Sequence, residues 1–293
     1  MKIILHNPSH NGDQILTLGV VTQLVRDNIE NEFVIVPACS SYVYNELISE
    51  RITIEEHPVI WNENKNIFNG KNFISDNHDT LWNYHESDIY INMWKLLIHE
   101  NNNCISLVDR PMFIKHVLKC IKIETGIGIN FNCDNYKELI PTLPSVDIEF
   151  IRNKIMSYKN KKIFFYNQNS FCGIEYEYPI DINEKTILRL IDTYGEDHLI
   201  ILSKPCNIIH KNLINVENEF FNLPSLDGKN LCINAKIANL CDEVFFKNNG
   251  GSLFILNHEN IANKNVKYNF IGRNNERNNI FKSEYDLECE LFN

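Results

Sequence analysis

Several class-defining motifs are missing from this sequence. Its 293 residues contain no C-x-x-C pair, no H-E-x-x-H motif and no repeat of solenoid length. No apolar run approaches the roughly 18 residues that a membrane-spanning helix needs. Residues 6–14 are polar, so the start lacks the apolar region of a signal peptide. These absences predict that the protein has no metal site, no transmembrane segment and no secretion signal.

Basic residues are also in short supply. Lys and Arg total 28 against 38 Asp and Glu, which gives a formal net charge of −10. No arginine-rich stripe interrupts this balance, and the composition therefore argues against a nucleic-acid-binding protein. An acidic surface can still contain a local basic pocket, so the composition does not exclude an anionic small-molecule ligand.

Disulfide pairing is the next feature that the pattern disfavours. The nine cysteines are scattered and odd in number, at positions 39, 104, 120, 133, 172, 206, 232, 241 and 289. An odd, unpatterned set fits reduced thiols better than a disulfide framework. The sequence therefore predicts a cytoplasmic setting.

Alternating strand and helix patterns indicate the fold class. Hydrophobic residues make up 44% of the chain, enough for a substantial core. Apolar strand-like runs alternate with helical patterns, which predicts an α/β fold with parallel sheets. Residues 134–150 contain two prolines and are predicted to be the crossover between two blocks, residues 1–150 and 151–293. Residues 281–291 show only a weak helical stripe.

The opening residues contain the first candidate for chemistry. An apolar strand, residues 3–5, leads through a polar loop into a helical pattern, and Asp13 lies where that helix begins. A carboxylate there suits the helix dipole and can cap backbone N–H groups. Alternatively, it is a reactive group at the carboxyl end of a parallel strand, where open α/β sheets bind ligands.

Two further loops follow predicted strands. Residues 167–170 read Asn-Gln-Asn-Ser, a cluster of hydrogen-bonding side chains directly after a strand. Residues 247–252 read Lys-Asn-Asn-Gly-Gly-Ser before a predicted helix. Paired glycines let backbone N–H groups approach an anion, and a helix N-terminus favours phosphate. The alternative for this second loop is an ordinary Asn-Gly turn.

Four segments resemble the ADP-heptose:lipopolysaccharide heptosyltransferases, which are glycosyltransferases of family 9. Residues 12–17, Gly-Asp-Gln-Ile-Leu-Thr, look like the Gly-Asp-x-hydrophobic-Leu-Thr start of that family. Residues 87–93 resemble its Asp-x-hydrophobic-Ile-Asn strand, and residues 162–170 resemble the strand and loop that open its donor domain. Residues 236–250 are similar to its late helix, strand and Asp-Thr-Gly segment.

The resemblance implies the GT-B fold, with two Rossmann-like α/β domains facing across a cleft. It makes residues 1–150 the acceptor domain and residues 151–293 the nucleotide-sugar domain, with the C-terminal segment packing back on the N-terminal domain. The implied activity is transfer of a sugar from a nucleotide-activated donor to a glycan or other hydroxyl acceptor, without metal or cofactor. No nucleic-acid partner is implied, and peripheral membrane contact and the oligomeric state stay open.

Site residues follow from the same resemblance. The aspartate of the family's opening motif is a proposed general base, and Asp13 occupies that position. Lys204 and Lys247 are candidates for the positive charge that meets a diphosphate, from their positions along the fold. The full set of expected substrate-binding residues is Asn11, Gly12, Asn167, Asn169, Ser170, Lys204, Lys247, Asn248, Asn249, Gly250, Gly251 and Ser252.

Two parts of the family pattern are replaced in this chain. Where the family has Asp-Thr-Gly-Pro-x-His, residues 248–253 read Asn-Asn-Gly-Gly-Ser-Leu. Where the family has a Lys before Trp-Pro, residues 176–179 read Tyr-Glu-Tyr-Pro. The alternatives are therefore a catalytically degenerate binding or scaffold protein of the same fold, and a sugar-nucleotide epimerase of that fold.

Overall fold

The chain divides into two compact units, residues 1–144 and 145–293. The computed structural model describes residues 2–7, 11–37, 39–55, 60–61, 78–79, 89–92, 140–168, 181–220, 229–247, 249–271 and 289–291. The division lies in the segment with the two prolines. The acceptor and donor roles expected for the two blocks stay predictions.

The first unit contains a parallel sheet. The strand order of this sheet is β3-β2-β1-β6. The two-residue strands β4 and β5 pair with each other, antiparallel, in a separate two-stranded sheet. The strands are β1 (Lys2–Asn7), β2 (Glu32–Pro37), β3 (Ile52–Ile54), β4 (Ile60–Trp61), β5 (His78–Asp79) and β6 (Ile89–Asn92). Helix α1 (Asn11–Asp27) follows β1, and a 3-10 helix, Ser41–Leu47, follows β2.

The second unit contains a wider parallel sheet, in the order β12-β11-β10-β7-β8-β9. Its strands are β7 (Lys161–Phe165), β8 (His198–Leu202), β9 (Leu213–Asn215), β10 (Glu243–Phe246), β11 (Lys267–Phe270) and β12 (Cys289–Leu291). Its helices are α2 (Glu149–Ser157), α3 (Ile182–Tyr194), α4 (Val216–Phe220), α5 (Asn230–Asn239), α6 (Ser252–Ile255) and α7 (His258–Ala262), and a 3-10 turn spans Gly195–Asp197. The α/β prediction, with a parallel sheet in each block, is confirmed.

Continuous apolar strands explain where the core of the second unit lies. Parallel strands covered on both faces are mostly apolar along their length, and β8 and β10 have this character after their first residues, His198 and Glu243. The fully buried side chains of one core cluster are Ile163, Phe165, Ile187, Leu190, Ile200, Leu202 and Phe245, with Ile271 almost as buried. Strand β12 was not expected, because a three-residue strand with a central charge gives no recognisable period and depends on pairing with β11.

A buried carboxylate joins the amino ends of several strands. Glu243, at the start of β10, forms an ion pair with Lys161 of β7. Tyr194 Oη donates to Glu243 Oε2 at 2.8 Å, and Asn269 Nδ2 donates to the same oxygen at 3.3 Å. Burial raises the pKa of Glu243, but the hydrogen bonds from Lys161 and Tyr194 outweigh it, and the net pKa is lowered. Burial and the neighbouring Glu243 raise the pKa of Tyr194.

Two negative findings apply to the residues that the structure describes. Within them, none of the helices combines the length and the apolar character required to cross a membrane. Nor do the described His, Cys, Asp and Glu side chains form a cluster of three that would hold a metal ion.

Candidate functional site

Each sheet has a point where the strand order reverses. In the first unit β2 and β3 lie on one side of β1 and β6 lies on the other; in the second unit β8 and β9 lie on one side of β7 and β10 on the other. Open parallel sheets bind ligands at the carboxyl ends of the strands beside such a switch point. The three loops singled out in the sequence follow β1, β7 and β10, which are strands that border these two points.

The loop after β1 leads directly into α1. This helix begins at Asn11, so Asp13 is its third residue and lies in the first turn, where backbone N–H groups lack partners within the helix. Gly12 is buried in the same turn. The side chain of Asp13 lies outside the described part of the structure, and its predicted role stays a prediction.

Asn11 contacts the exit of the neighbouring strand. Ser40, which follows β2, donates from Oγ to Asn11 Oδ1 at 2.5 Å. Ser40 has φ 52 and ψ 35, a left-handed conformation that no other described non-glycine residue shares. Such a conformation costs on the order of 1–2 kcal/mol for a residue with a Cβ and persists where the surroundings hold it. Ser40 therefore lies beside the start of α1, at the exit of β2, and no sequence signal had identified it.

A buried polar network fixes the start of α1 against β1. Gln14 Nε2 donates to the Asn7 carbonyl at 2.9 Å, and Asn7 Nδ2 donates to Thr17 Oγ1 at 2.9 Å. Tyr44 Oη donates to Gln14 Oε1 at 3.0 Å. All four side chains are buried, and buried polar groups with satisfied hydrogen bonds favour a single arrangement of the chain. Sequence reasoning overlooked this network, although polar Gln14 and Thr17 within the apolar face of α1 were a usable signal.

In the second unit Asn167 joins the exits of β7 and β8. Its Oδ1 accepts hydrogen bonds from Ser203 Oγ at 2.9 Å and from the Lys204 backbone N–H at 2.8 Å. Its Nδ2 donates to the Lys204 carbonyl at 3.0 Å, and its own N–H donates to Ser203 Oγ at 3.0 Å. Asn167 is only 6% exposed. Its amide connects the loop after β7 to the loop after β8. Ligand contact by that amide stays a prediction.

The loop after β10 folds back onto the loop after β7. Asn249 Nδ2 donates to the Gln168 carbonyl at 3.2 Å. Asn249 Oδ1 accepts hydrogen bonds from both the N–H and the hydroxyl of Ser252, each at 2.9 Å. The two loops predicted separately from the sequence therefore form one hydrogen-bonded edge.

Gly251 is required in this loop for close packing. Its φ of −74 is ordinary for any residue, so the glycine is not needed for a left-handed conformation. A Cβ at this position would lie 1.7 Å from Tyr166 Oη and 2.5 Å from Tyr166 Cζ. Tyr166, which directly follows β7, is buried and donates to Gln168 Oε1 at 3.0 Å. The loop backbone thus packs directly on a tyrosine side chain.

Lys247 places its side-chain amino group at the same edge. It follows β10 directly, is 4% exposed, and donates from Nζ to Asn183 Oδ1 at 2.8 Å. Asn183 lies in the first turn of α3 and donates from Nδ2 to the Asn167 carbonyl at 2.8 Å. By contrast, Lys204 is exposed, and only its backbone is held by Asn167. Asn183 was missed in the sequence because an Asn near a helix start is ordinary.

Six of the expected binding residues come together at the carboxyl edge of the second sheet. They are Asn167, Lys204, Lys247, Asn249, Gly251 and Ser252. Gly250, which is partly exposed, is adjacent to them in the chain. Asn169, Ser170 and Asn248 lie outside the described residues. Asn11 and Gly12 lie at the corresponding edge of the first unit's sheet.

Similar proteins are found among solved structures, whereas no protein-family model and no curated protein matches the sequence. A family 9 glycosyl transferase from Veillonella parvula has a TM-score of 0.49 at 13% identity, over 99% of this chain and 85% of that one. ADP-heptose lipopolysaccharide heptosyltransferase II of E. coli has a TM-score of 0.46 at 12% identity, over 100% and 90%. The E. coli heptosyltransferase WaaC with ADP has a TM-score of 0.42 at 10% identity, over 92% and 87%. The names of these three proteins are of the kind that the four sequence segments resemble.

Proposed function

We propose that this protein is a glycosyltransferase that moves a sugar from a nucleotide-activated donor to a hydroxyl group of a glycan or other acceptor. The observation that carries the proposal is the edge of the second sheet, where the exits of β7, β8 and β10 are hydrogen-bonded together around the buried Lys247. This edge borders the switch point of a parallel sheet, the usual place for a nucleotide in such folds. The family-like segments at residues 12–17 and 236–250 supply independent support.

The second unit would bind the donor. The Lys247 ammonium would attract the diphosphate, and the backbone N–H groups of Gly250 and Gly251 would stabilise the negative charge that grows on the diphosphate as it leaves. Asn169, Ser170 and the exposed Lys204 complete the proposed set. No metal and no cofactor is assigned a role in this scheme, which uses fixed protein charge and backbone dipoles for the leaving group.

The first unit would bind the acceptor, with Asp13 as general base. The acceptor oxygen attacks the anomeric carbon, the bond from that carbon to the diphosphate oxygen breaks, and its electron pair leaves with the diphosphate. The hydroxyl proton passes to the Asp13 carboxylate. The first turn of α1 favours an ionised carboxylate through the helix dipole, and Asn11 and Gly12 would shape the loop around the acceptor. The cytoplasm, where nucleotide sugars are made, is the proposed location.

Binding and turnover test this proposal in two steps. A thermal-shift screen of ADP, UDP, GDP and CDP and their sugar conjugates comes first, because a ligand at about 100 times its Kd stabilises a protein by roughly 2.7 kcal/mol. A transfer assay with the conjugate that shifts the unfolding temperature follows, on wild type and on Asp13→Asn. The variant should bind the donor normally and lose roughly 10²–10⁴-fold in kcat. Equal turnover in both proteins removes Asp13 from the mechanism.

A second candidate is a protein of this fold that binds its ligand without turnover. The replaced acid and histidine in residues 248–253, and the absent lysine in residues 176–179, favour it. This candidate predicts a thermal shift with a nucleotide and no sugar transfer with any conjugate. Product analysis in the same assay distinguishes this non-catalytic protein from an epimerase, because an epimerase would convert the nucleotide sugar into its epimer without any acceptor.

A further inference from the structure

We infer that Asn234 of α5 is a positioning residue for the glycine loop, residues 249–252. In the arrangement described above its buried amide is unpaired, and it gains hydrogen bonds when a nucleoside diphosphate moves this loop and α6 into a second arrangement. The inference rests on the proposed function, which places the diphosphate at this loop. Asn234 does not touch the nucleotide; it acts through α6. No motif in the sequence had marked it.

The amide of Asn234 is completely buried. The residue is 0% exposed, and neither Nδ2 nor Oδ1 has a hydrogen-bond partner in the part of the chain that the structure describes. An asparagine amide carries two donor hydrogens and one acceptor oxygen, and burial of these groups without partners costs free energy. Most buried polar side chains are paired, so this one requires an explanation.

An apolar side chain would suit this position better. The buried neighbours of Asn234 along α5 are small or apolar, and each of them is 0% exposed: Cys232, Ile233, Ala235, Ile237 and Ala238. A leucine branches at the same atom as an asparagine and has no polar atoms to leave unpaired. The amide is therefore present at a cost in stability, and such departures from the packing rules are expected where a side chain has a function.

Asn234 lies on the side of α5 that faces away from α7. Asn260 of α7 donates from Nδ2 to the Ala235 carbonyl at 2.8 Å. Lys236 forms an ion pair with Glu259 of α7. At 3.6 residues per turn, Asn234 is rotated by about 100° from Ala235 and by about 160° from Lys236. The contact with α7 therefore does not account for the amide.

Helix α6 connects α5 to the glycine loop. It packs on α5 as well, and it begins directly after Gly251. The N–H and the hydroxyl of its first residue, Ser252, are both held by Asn249 Oδ1, so a movement of the loop moves α6. A helix of four residues leaves most of its backbone groups without partners inside the helix. A shift of α6 on α5 can therefore bring a backbone donor or acceptor to the Asn234 amide.

The two arrangements are coupled to the ligand through this amide. The arrangement in which the amide is unpaired carries its burial penalty, whereas the arrangement in which it is paired does not. A ligand shifts such an equilibrium by its differential affinity for the two states. Asn234 therefore strengthens nucleotide binding by making the unpaired arrangement less favourable.

Urea unfolding and calorimetric titration of the full chain with ADP and UDP test the inference together. Asn234→Leu removes the unpaired amide, so the folded-to-unfolded equilibrium constant should rise by roughly tenfold or more. The same variant should bind the diphosphate that wild type prefers roughly tenfold more weakly, because the bound arrangement loses its hydrogen bonds. A side chain with only a structural role would not combine a gain in stability with a loss of affinity.

Two further variants serve as controls. Asn257→Leu makes the same exchange at a buried asparagine whose amide is paired. Its Oδ1 accepts from the Asn260 N–H at 3.1 Å, and its Nδ2 donates to the Phe254 carbonyl at 2.8 Å. This variant should lower stability. Asn234→Ala is too small to clash with its neighbours and also lacks the amide, so it should lose the same affinity even if Asn234→Leu fails to fold.

The measurements separate the inference from the proposed function. If wild type binds a diphosphate and both variants at position 234 bind it equally tightly, the positioning role is wrong and the proposed function stands. If Asn234→Leu lowers stability as much as Asn257→Leu does, the Asn234 amide is paired and the inference is wrong. If wild type binds neither ADP nor UDP at millimolar concentration, the proposed donor site and the positioning role both fail.

Discussion

Gly251→Ala is the substitution whose effect the structure defines best. A Cβ at this position would lie 1.7 Å from Tyr166 Oη, 2.5 Å from Cζ and 3.0 Å from Cε1. Real Cβ atoms do not approach other atoms so closely, and the buried Tyr166 ring must move. Moving it breaks the hydrogen bond from Tyr166 to Gln168.

The expected cost can be worked out term by term. Overpacking a filled site costs typically 1–3 kcal/mol, and losing one hydrogen bond costs about 1 kcal/mol. Alanine at a φ of −74 is unstrained, so the reduced entropy of the unfolded chain offsets roughly 0.4–1 kcal/mol. The second unit should therefore lose about 2 kcal/mol. For an m-value of roughly 2 kcal/mol/M, its urea midpoint should fall by about 1 M.

Urea unfolding followed by two probes measures this effect. The three tryptophans, at positions 61, 82 and 94, all belong to the first unit, so their fluorescence reports that unit while circular dichroism reports both. Gly195→Ala provides a control in which backbone strain, not a steric clash, is the cause, because Gly195 has φ 60 and no atom within 4 Å of the position of a Cβ. It should cost on the order of 1–3 kcal/mol through backbone strain alone.

A double-mutant cycle supplies the outcome that would refute the reasoning. Tyr166→Phe removes the atom nearest to the new methyl group, so the cost of Gly251→Ala should be smaller in the Phe background. The cost of Gly195→Ala should be the same in both backgrounds. If Gly251→Ala unfolds with the wild-type midpoint, the contact between this glycine and Tyr166 is not the reason for the glycine.

Three further substitutions have definite expectations. Asn167→Ala removes the acceptor and donor that tie Ser203 and Lys204 to β7, and urea titration should show a loss of roughly 2–3 kcal/mol from buried groups left without partners. Ser40→Gly and Ser40→Ala both lose the hydrogen bond to Asn11, but only Gly adopts the left-handed conformation without strain, so the Gly variant should be the more stable by about 1 kcal/mol. Equal stability of the two variants in urea unfolding would show that Ser40 is not strained. The folded pKa of Glu243 is lowered, so its stabilising contribution is present above its unfolded pKa of about 4.3 and is lost as pH falls through the folded pKa. Glu243→Gln should therefore flatten the fall in the free energy of unfolding below about pH 5; an unchanged pH dependence in acid would argue against this role.

Much of the fold could be predicted from the sequence because its strands and helices have local patterns of apolar residues. Buried parallel strands such as β8 and β10 are short runs that are apolar after their first residue, and α1 and α3 begin close to where the helical period begins. Strand β12 was missed, because its three residues have no pattern of their own and are defined by pairing with β11. The helical segment Ser41–Leu47 is a 3-10 helix, which apolar spacing cannot distinguish from an α-helix over seven residues.

The candidate site was accessible only in part, and the reason is the distance in sequence between its members. Loops rich in Asn, Gly and Ser after strands are local signals, and they located residues 167–170 and 247–252. The residues that organise those loops depend on contacts across 36, 64 and 81 positions, namely Asn167 with Ser203, Lys247 with Asn183, and Asn249 with the Gln168 carbonyl. The same contacts change the meaning of the predicted residues. The amide of Asn167 braces two strand exits, and Gly251 is small because Tyr166 fills the space beside it, so neither side chain need touch a ligand for its replacement to abolish binding.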